Sequence, residues 1–171
     1  MTEKPADDAY DVAIIVGSEK SDVPVVTTSL MLSFLDGCRV RWRLAAISAH
    51  RHPDELLAFC RESGAGVFIC AVSMNPGLPG AVAAATNQER PVIGVALPNA
   101  NCDPDGSKCL AAMCMQPPGV PVLVAGVGNP GLINAAYAAA QIFAQDDMNI
   151  RERLAAHIES RRPVAKLNIL K

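Results

Sequence analysis

Leu44-Ala45-Ala46-Ile47-Ser48-Ala49-His50-Arg51-His52-Pro53-Asp54 takes the chain from an apolar run, through a polar turn, into a helix. Proline suits the first helical turn, where its missing N–H has no partner to lose, so Pro53 marks the start. A strand-to-helix turn leaves backbone N–H groups unpaired and presents the positive end of a helix dipole, a setting suited to a phosphate or carboxylate. This one also carries an imidazole that exchanges protons near pH 7 and a guanidinium that grips an anion through two parallel bonds. Taken alone, the plainer reading is a polar turn with a capping histidine. The rest of the chain changes the balance.

Similar apolar runs lie on both sides. Upstream, residues 11–16 read as a buried strand that ends in Gly17-Ser18-Glu19-Lys20-Ser21-Asp22. An amphipathic helix is predicted over about residues 23–35, stopped by Asp36-Gly37, before a strand over 40–47. Downstream, the helix from Pro53 runs to about Glu62 and stops at Ser63-Gly64-Ala65-Gly66. A third apolar run covers 67–72; the loop 73–80 and an alanine-rich helix to about Thr86 follow. The fourth run is 91–97, then a polar loop over 98–106 and a helix over 107–115. The fifth is 120–125, followed by Gly126-Val127-Gly128-Asn129-Pro130-Gly131, a helix over 132–145 and a charged terminal helix over 148–160. Residues 1–9 are polar and are expected to form a loose arm.

Short apolar runs alternating with helices at intervals of about 20–30 residues indicate an α/β fold. The expectation is a three-layer, doubly wound parallel sheet of about five strands, flavodoxin- or Rossmann-like, with a C-terminal helix. One domain is expected over 1–171, with its core in 10–146 and a helix and tail in 147–171. In such folds ligands bind beyond the carboxyl ends of the strands. The loops after Val16, Ile47, Val72, Leu97 and Ala125 are therefore expected to gather on one rim.

Half of the residues are apolar and only 4% aromatic, a palette suited to close-packed parallel strands and helices. A net charge of −2 leaves no basic footprint, which argues against a nucleic-acid partner. No apolar run approaches the ~20 residues that cross a bilayer. Six cysteines form no CxxC pair, and Cys38, Cys60 and Cys70 sit in or beside apolar runs as small hydrophobes. A reduced, cytoplasmic setting is expected. Cys102, Cys109 and Cys114 lack zinc-site spacing, so no metal site is expected there.

The Gly17–Asp22 loop is neither a Walker loop nor a GxGxxG fingerprint, which argues against nucleoside triphosphates and dinucleotides. Its hydroxyls and N–H groups suit a phosphate, and Asp22 suits a sugar hydroxyl; an Asp N-cap explains Ser21 and Asp22 equally well. Gly126–Gly131 reads as a tight turn. His50 and His52, two apart, point to different sides of an extended segment, which argues against paired metal ligation. His157, in the charged terminal helix, is expected to face solvent. The alanine-rich 134–141 segment suits packing on the sheet or against a second subunit about equally.

These motifs in this order resemble one family. The strand–Gly17-Ser18…Ser21-Asp22 loop, Ser48-Ala49-His50-Arg51-x-Pro53-Asp54 and Leu78-Pro79-Gly80 carry the resemblance. So do Pro91-Val92-Ile93-Gly94-Val95, Met115-Gln116-Pro117 through Gly119-Val120-Pro121-Val122, and Asn134-Ala135-Ala136. Together they are similar to the 5-(carboxyamino)imidazole ribonucleotide mutases and aminoimidazole ribonucleotide carboxylases, over roughly residues 10–146.

The resemblance implies a purine-synthesis enzyme without metal or organic cofactor. A mutase of this kind moves a carboxylate from the exocyclic nitrogen of an aminoimidazole ribonucleotide to ring carbon 4. Carbon dioxide is released, trapped and recaptured. By position, His50 matches the proton-shuttling histidine, and Ser18, Asp22, Ser48 and Arg51 match the ribose-phosphate site. Gly17, Ser21, Ala49, Ser73, Asn75, Gly77 and Leu78 complete the expected substrate-binding set. The resemblance further implies a homo-octamer with sites at subunit contacts. Ala71-Val72-Ser73-Met74 stands where the mutases carry a Gly-Ala-Gly-Gly segment, and their second histidine, before Leu-Pro-Gly, is absent. Two alternatives follow: a carboxylase or decarboxylase acting on a related azole ribonucleotide in specialised metabolism, or a non-catalytic ribonucleotide-binding protein.

Overall fold

The computed structural model describes residues 10–162. Five parallel strands, β1 (Val12–Val16), β2 (Trp42–Ala46), β3 (Val67–Val72), β4 (Val92–Ala96) and β5 (Leu123–Val127), form one sheet in the order β2-β1-β3-β4-β5. Helices α1 (Asp22–Thr27), α2 (Met31–Gly37), α6 (Gly128–Phe143) and α7 (Met148–Arg161) cover one face. Helices α3 (Pro53–Glu62), α4 (Gly77–Ala85) and α5 (Ser107–Met113) cover the other. The predicted arm over 1–9 and the tail beyond 162 lie outside the described residues.

Alternation along the central strands builds both cores. Val12, Ile14 and Val16 face α1, α2 and α6, while Ala13 and Ile15 face the other layer. Val67, Ile69 and Ala71 repeat the first set on β3, and Phe68, Cys70 and Val72 the second. Every residue of β1, β3 and β4 is buried, the burial expected of parallel strands covered on both sides. The edge strand β2 is half-buried to exposed throughout.

The order places a topological switch between β1 and β3. The chain leaves β1 towards β2, crosses back under α3, and pairs β3 on the opposite side of β1. A crevice opens where successive crossovers leave in opposite directions, at the carboxyl ends of the strands.

Four elements differ from the sequence expectation, one of them α6, which starts at Gly128, four residues earlier than expected. The helix predicted over 23–35 is two helices. The hydroxyls of Thr27, Thr28 and Ser29 donate to carbonyls three or four residues back, and Ser29 Oγ then accepts from the Met31 N–H. Side-chain competition of this kind ends a helix that hydrophobic periodicity alone would continue. The fifth strand begins three residues later than expected, because Pro121 offers no ladder donor and Val120 N–H is turned back onto the Pro117 carbonyl. Helix α4 starts at Gly77, inside the predicted loop. The alanine-rich helix α6 packs on the sheet, with Ala135, Ala136, Ala139 and Ala140 fully buried.

The terminal helix carries a further correction. His157 is half-buried, its ring edge-on to Phe34 at 4.9 Å between centroids and near Tyr137 at 5.8 Å. Its Nε2 is buried and has no hydrogen-bond partner among the described residues. Composition made α7 look solvated; aromatic packing against α2 and α6 seats one face of it. Among the described residues no helix is long and apolar enough to cross a membrane.

Candidate active site

At the switch point a cavity of about 440 Å³ opens between the loops that follow β1, β2 and β3. Gly17, Ser18, Ser21 and Asp22 line it from the first loop, Ser48, Ala49, His50 and Arg51 from the second. Val72, Ser73, Met74, Asn75 and Leu78 line it from the third. The loops after β4 and β5, expected on the same rim, do not line this cavity. The volume lies in the range of small-molecule sites.

Each wall has a local cause. The first loop turns tightly, with Asp22 and Val23 N–H groups donating to the Ser18 carbonyl and Ser21 N–H donating to Ser18 Oγ. Asp22 opens α1 and is only 2% exposed. It does not cap the helix; its Oδ1 accepts from Ser21 Oγ at 2.8 Å and from Ser73 Oγ at 2.6 Å. The second loop is a turn closed by Arg51 and His52 N–H groups on the Ser48 carbonyl, with Pro53 at the first helical position. His52 precedes the helix without a side-chain cap bond, so the capping-histidine reading does not hold. Arg51 Nη2 donates to the Gly17 carbonyl at 3.2 Å, which draws the guanidinium across to the first loop. In the third loop Asn75 Oδ1 accepts from Gly77 N–H at 2.9 Å, an Asx turn that delivers the chain into α4.

The cavity combines a buried carboxylate, an imidazole and a cation. His50 and Arg51 are exposed in the single chain. Gly77 is not itself in the wall, although it lies behind His50: a methyl group there would stand 3.7 Å from the ring's Cε1 and Nε2. All other expected site residues line the cavity. Val72 and Met74 were not anticipated. Met74 is 70% exposed, a large apolar side chain standing at the rim. Its position inside the 71–74 segment, where the resemblance implied bare glycine backbone, was the available signal. Gly126–Gly131, read from the sequence as a tight turn, is instead the end of β5 joined directly to the first turn of α6, away from the cavity.

Comparison with known proteins converges on the family named from the motifs. The model of the AIR carboxylase family matches residues 11–163. The chain belongs to the AIR carboxylase family. Among curated relatives, the N5-carboxyaminoimidazole ribonucleotide mutase of Escherichia coli K12 is 36% identical over 84% of this chain and 82% of its own. The mutase of Bacillus subtilis is 35% identical over 93% of each chain, and that of Mycobacterium tuberculosis H37Rv 34% over 89% and 84%. The crystal structure of Treponema denticola PurE superimposes with a TM-score of 0.72 at 20% identity, covering 87% of this chain and 89% of that one. At that identity the superposition speaks for the fold. The layered architecture of this AIR carboxylase family member is thus shared well beyond the range of sequence similarity.

Proposed function

We propose that the protein catalyses carboxylate transfer on an aminoimidazole ribonucleotide in purine biosynthesis, converting the 5-carboxyamino compound to the 4-carboxy-5-amino compound. The observation that carries this reading is the convergence of His50, Arg51 and Asp22 on one cavity at the switch point of a family member. Arg51, anchored against the Gly17 carbonyl, and the N–H groups at the start of α3 take the phosphate. Asp22 takes a ribose hydroxyl.

His50 carries the proton. As the N–CO2 bond breaks, the electron pair stays on the exocyclic nitrogen and the imidazolium supplies its proton. Ring carbon 4 then attacks the retained carbon dioxide. The imidazole removes the proton from that carbon, which restores the aromatic ring and the catalyst. Neither oxidation nor net loss of carbon dioxide occurs, so no cofactor is required by the balance.

Retention of carbon dioxide requires a covered, water-excluding site. In the single chain His50 and Arg51 are exposed and the edge strand β2 is under-covered. That supports closure by further copies of a single-domain subunit, and a homo-octamer is the assembly we propose, acting in the cytoplasm. A second reading rests on Ser73 and Met74, side chains where the mutases carry glycine. It has the site carboxylating or decarboxylating a related azole ribonucleotide.

The test is an ultraviolet assay of purified protein with carboxyaminoimidazole ribonucleotide, with and without bicarbonate, beside His50→Asn. Turnover is expected in the wild type, and a loss of at least a hundredfold in the variant with ligand affinity retained. Variant activity within tenfold of wild type removes His50 from proton transfer. A folded, octameric wild type without turnover shifts the reading to another azole carboxylate.

A further inference from the structure

Residues 22 and 73 lie 51 positions apart in sequence and meet at the switch point through one short hydrogen bond. Ser73 Oγ donates to Asp22 Oδ1 at 2.6 Å, and both residues are buried, at 7% and 2% exposure. Ser21 Oγ adds a second donor to the same oxygen at 2.8 Å. Two hydroxyls therefore converge on Oδ1. Among the described residues none donates to Oδ2, which lies 3.6 Å from where a Cβ on Gly17 would stand, against the cavity wall.

A carboxylate fixed through one oxygen by two short bonds has little rotational freedom about its terminal torsion, which is otherwise soft. Its second oxygen is then aimed and left with its acceptor capacity intact. Oδ2 is not an orphaned buried atom, so it opens to the cavity and is free to accept a hydroxyl that a ligand brings.

We infer that Ser73 is a positioning residue that holds Asp22 through Oδ1, so that Oδ2 receives a sugar hydroxyl of the substrate. This rests on the ribonucleotide reading above and deepens it. The consequence is a division of labour within the 73–75 segment. Where a backbone glycine would leave Asp22 held by Ser21 alone, Ser73 ties the end of β3 to the start of α1. The loop that closes the reacting end of the cavity thereby also sets the sugar end.

The prediction separates binding from chemistry. Removing the Ser73 hydroxyl leaves His50 in place, so Ser73→Ala raises KM for carboxyaminoimidazole ribonucleotide about tenfold with kcat within about threefold of wild type. Ser73→Thr restores the hydroxyl and KM. The exposed Ser21→Ala, which is free of any packing burden, produces a smaller rise in the same direction.

Calorimetric titration with ribose 5-phosphate, and with its 2-deoxy and 3-deoxy analogues, supplies a readout independent of turnover. Wild type loses affinity for at least one deoxy sugar, and Ser73→Ala shrinks that loss because Asp22 is no longer aimed. Equal discrimination by wild type and Ser73→Ala, or a change confined to kcat, overturns the inference even if the enzyme turns over as proposed. Hydroxyl-dependent, Ser73-dependent binding without turnover leaves the inference standing and removes the carboxylate-transfer reading instead. If wild type binds none of the three sugars, Asp22 does not serve a sugar hydroxyl and the inference falls.

Discussion

Arg51 serves the site through two features of its position. Its place one residue after His50 puts a guanidinium at the mouth of the strand-to-helix turn, and its bond to the Gly17 carbonyl fixes the side chain over the first loop. That bond uses one of five N–H donors, so the fork retains donors for an anion. Arg51→Ala is expected to raise KM by about ten- to a hundredfold, the range for losing a hydrogen bond to a charged partner, with a smaller effect on kcat. Arg51→Lys restores charge without the planar fork and recovers only part of the loss. An unchanged KM in steady-state kinetics would place the phosphate elsewhere. At this scale the sequence was informative wherever chemistry is local. The turn residues 48–51 and the loop residues 17–22 could be read because a strand end, a helix start and their polar residues are contiguous. The Ser73–Asp22 bond could not, since it depends on how β1 and β3 pair in space. His157 misled for the opposite reason: its helix is rich in charged residues, while its ring packs on Phe34 and Tyr137 from two other helices.

Among the elements, β5 and α6 form the joint where sequence periodicity was least adequate. Val95 pairs with Gly126 and Gly94 with Val124, so Ala125 is an extra residue in the ladder, and Gly126 sits at a φ of +124°. A bulge of this kind steepens the local twist and redirects the chain. The first turn of α6 then comes so close that a Cβ on Gly131 would lie 2.6 Å from the Gly126 carbonyl carbon. On the neighbouring strand a Cβ on Gly94 would meet Met113 Sδ, the far end of a flexible side chain. The two glycines therefore differ in what stands behind them. Gly131→Ala forces backbone against backbone and is expected to lower stability by about 3 kcal/mol, the upper range for overpacking, while Gly94→Ala lets Met113 move and costs about 1 kcal/mol. Urea unfolding followed by circular dichroism measures both; equal losses would mean the α6 turn shifts as readily as a methionine. The strands and α3 were legible because their boundaries are set by apolar runs and by Pro53. The break between α1 and α2 was not, because hydroxyl back-bonding leaves the apolar spacing intact.

For the molecule as a whole, the distribution of thiols tests whether the two faces of the sheet are as dry as the packing requires. Cys60, Cys70 and Cys109 lie in the layer under α3, α4 and α5, and Cys38 in the opposite one, while Cys102 and Cys114 are exposed. Burial pushes the Cys60 thiol up to about 11, and burial together with the nearby Asp103 and Asp22 carboxylates pushes Cys109 to about 11 as well. Cys70 is raised well above the ordinary value too, by burial and by Cys60. Only thiolates react readily, so a disulfide reagent at pH 8 is expected to titrate two thiols in the folded protein and six after denaturation. The same shifts fix the direction of the alkaline response. Below the ordinary thiol value of 9.0, folded and unfolded chains are both protonated at these positions, and their contribution to stability is fully present. Above it the unfolded chain releases protons that the folded one retains, so stability is lost as pH rises from about 9 through about 11. The denaturation midpoint should fall across that interval, and Cys60→Ala should flatten the fall at a cost in packing. A flat profile in the wild type would mean that water already reaches this layer. Ionisation of a thiol here is also linked to the site, because Cys109 Sγ donates to the Val72 carbonyl, one residue before Ser73. A thiolate loses that donor and gains a charge beneath the end of β3. Sugar discrimination should therefore decline only as pH approaches about 11, at the upper end of the interval over which stability is lost, because the folded chain keeps the Cys109 proton until then.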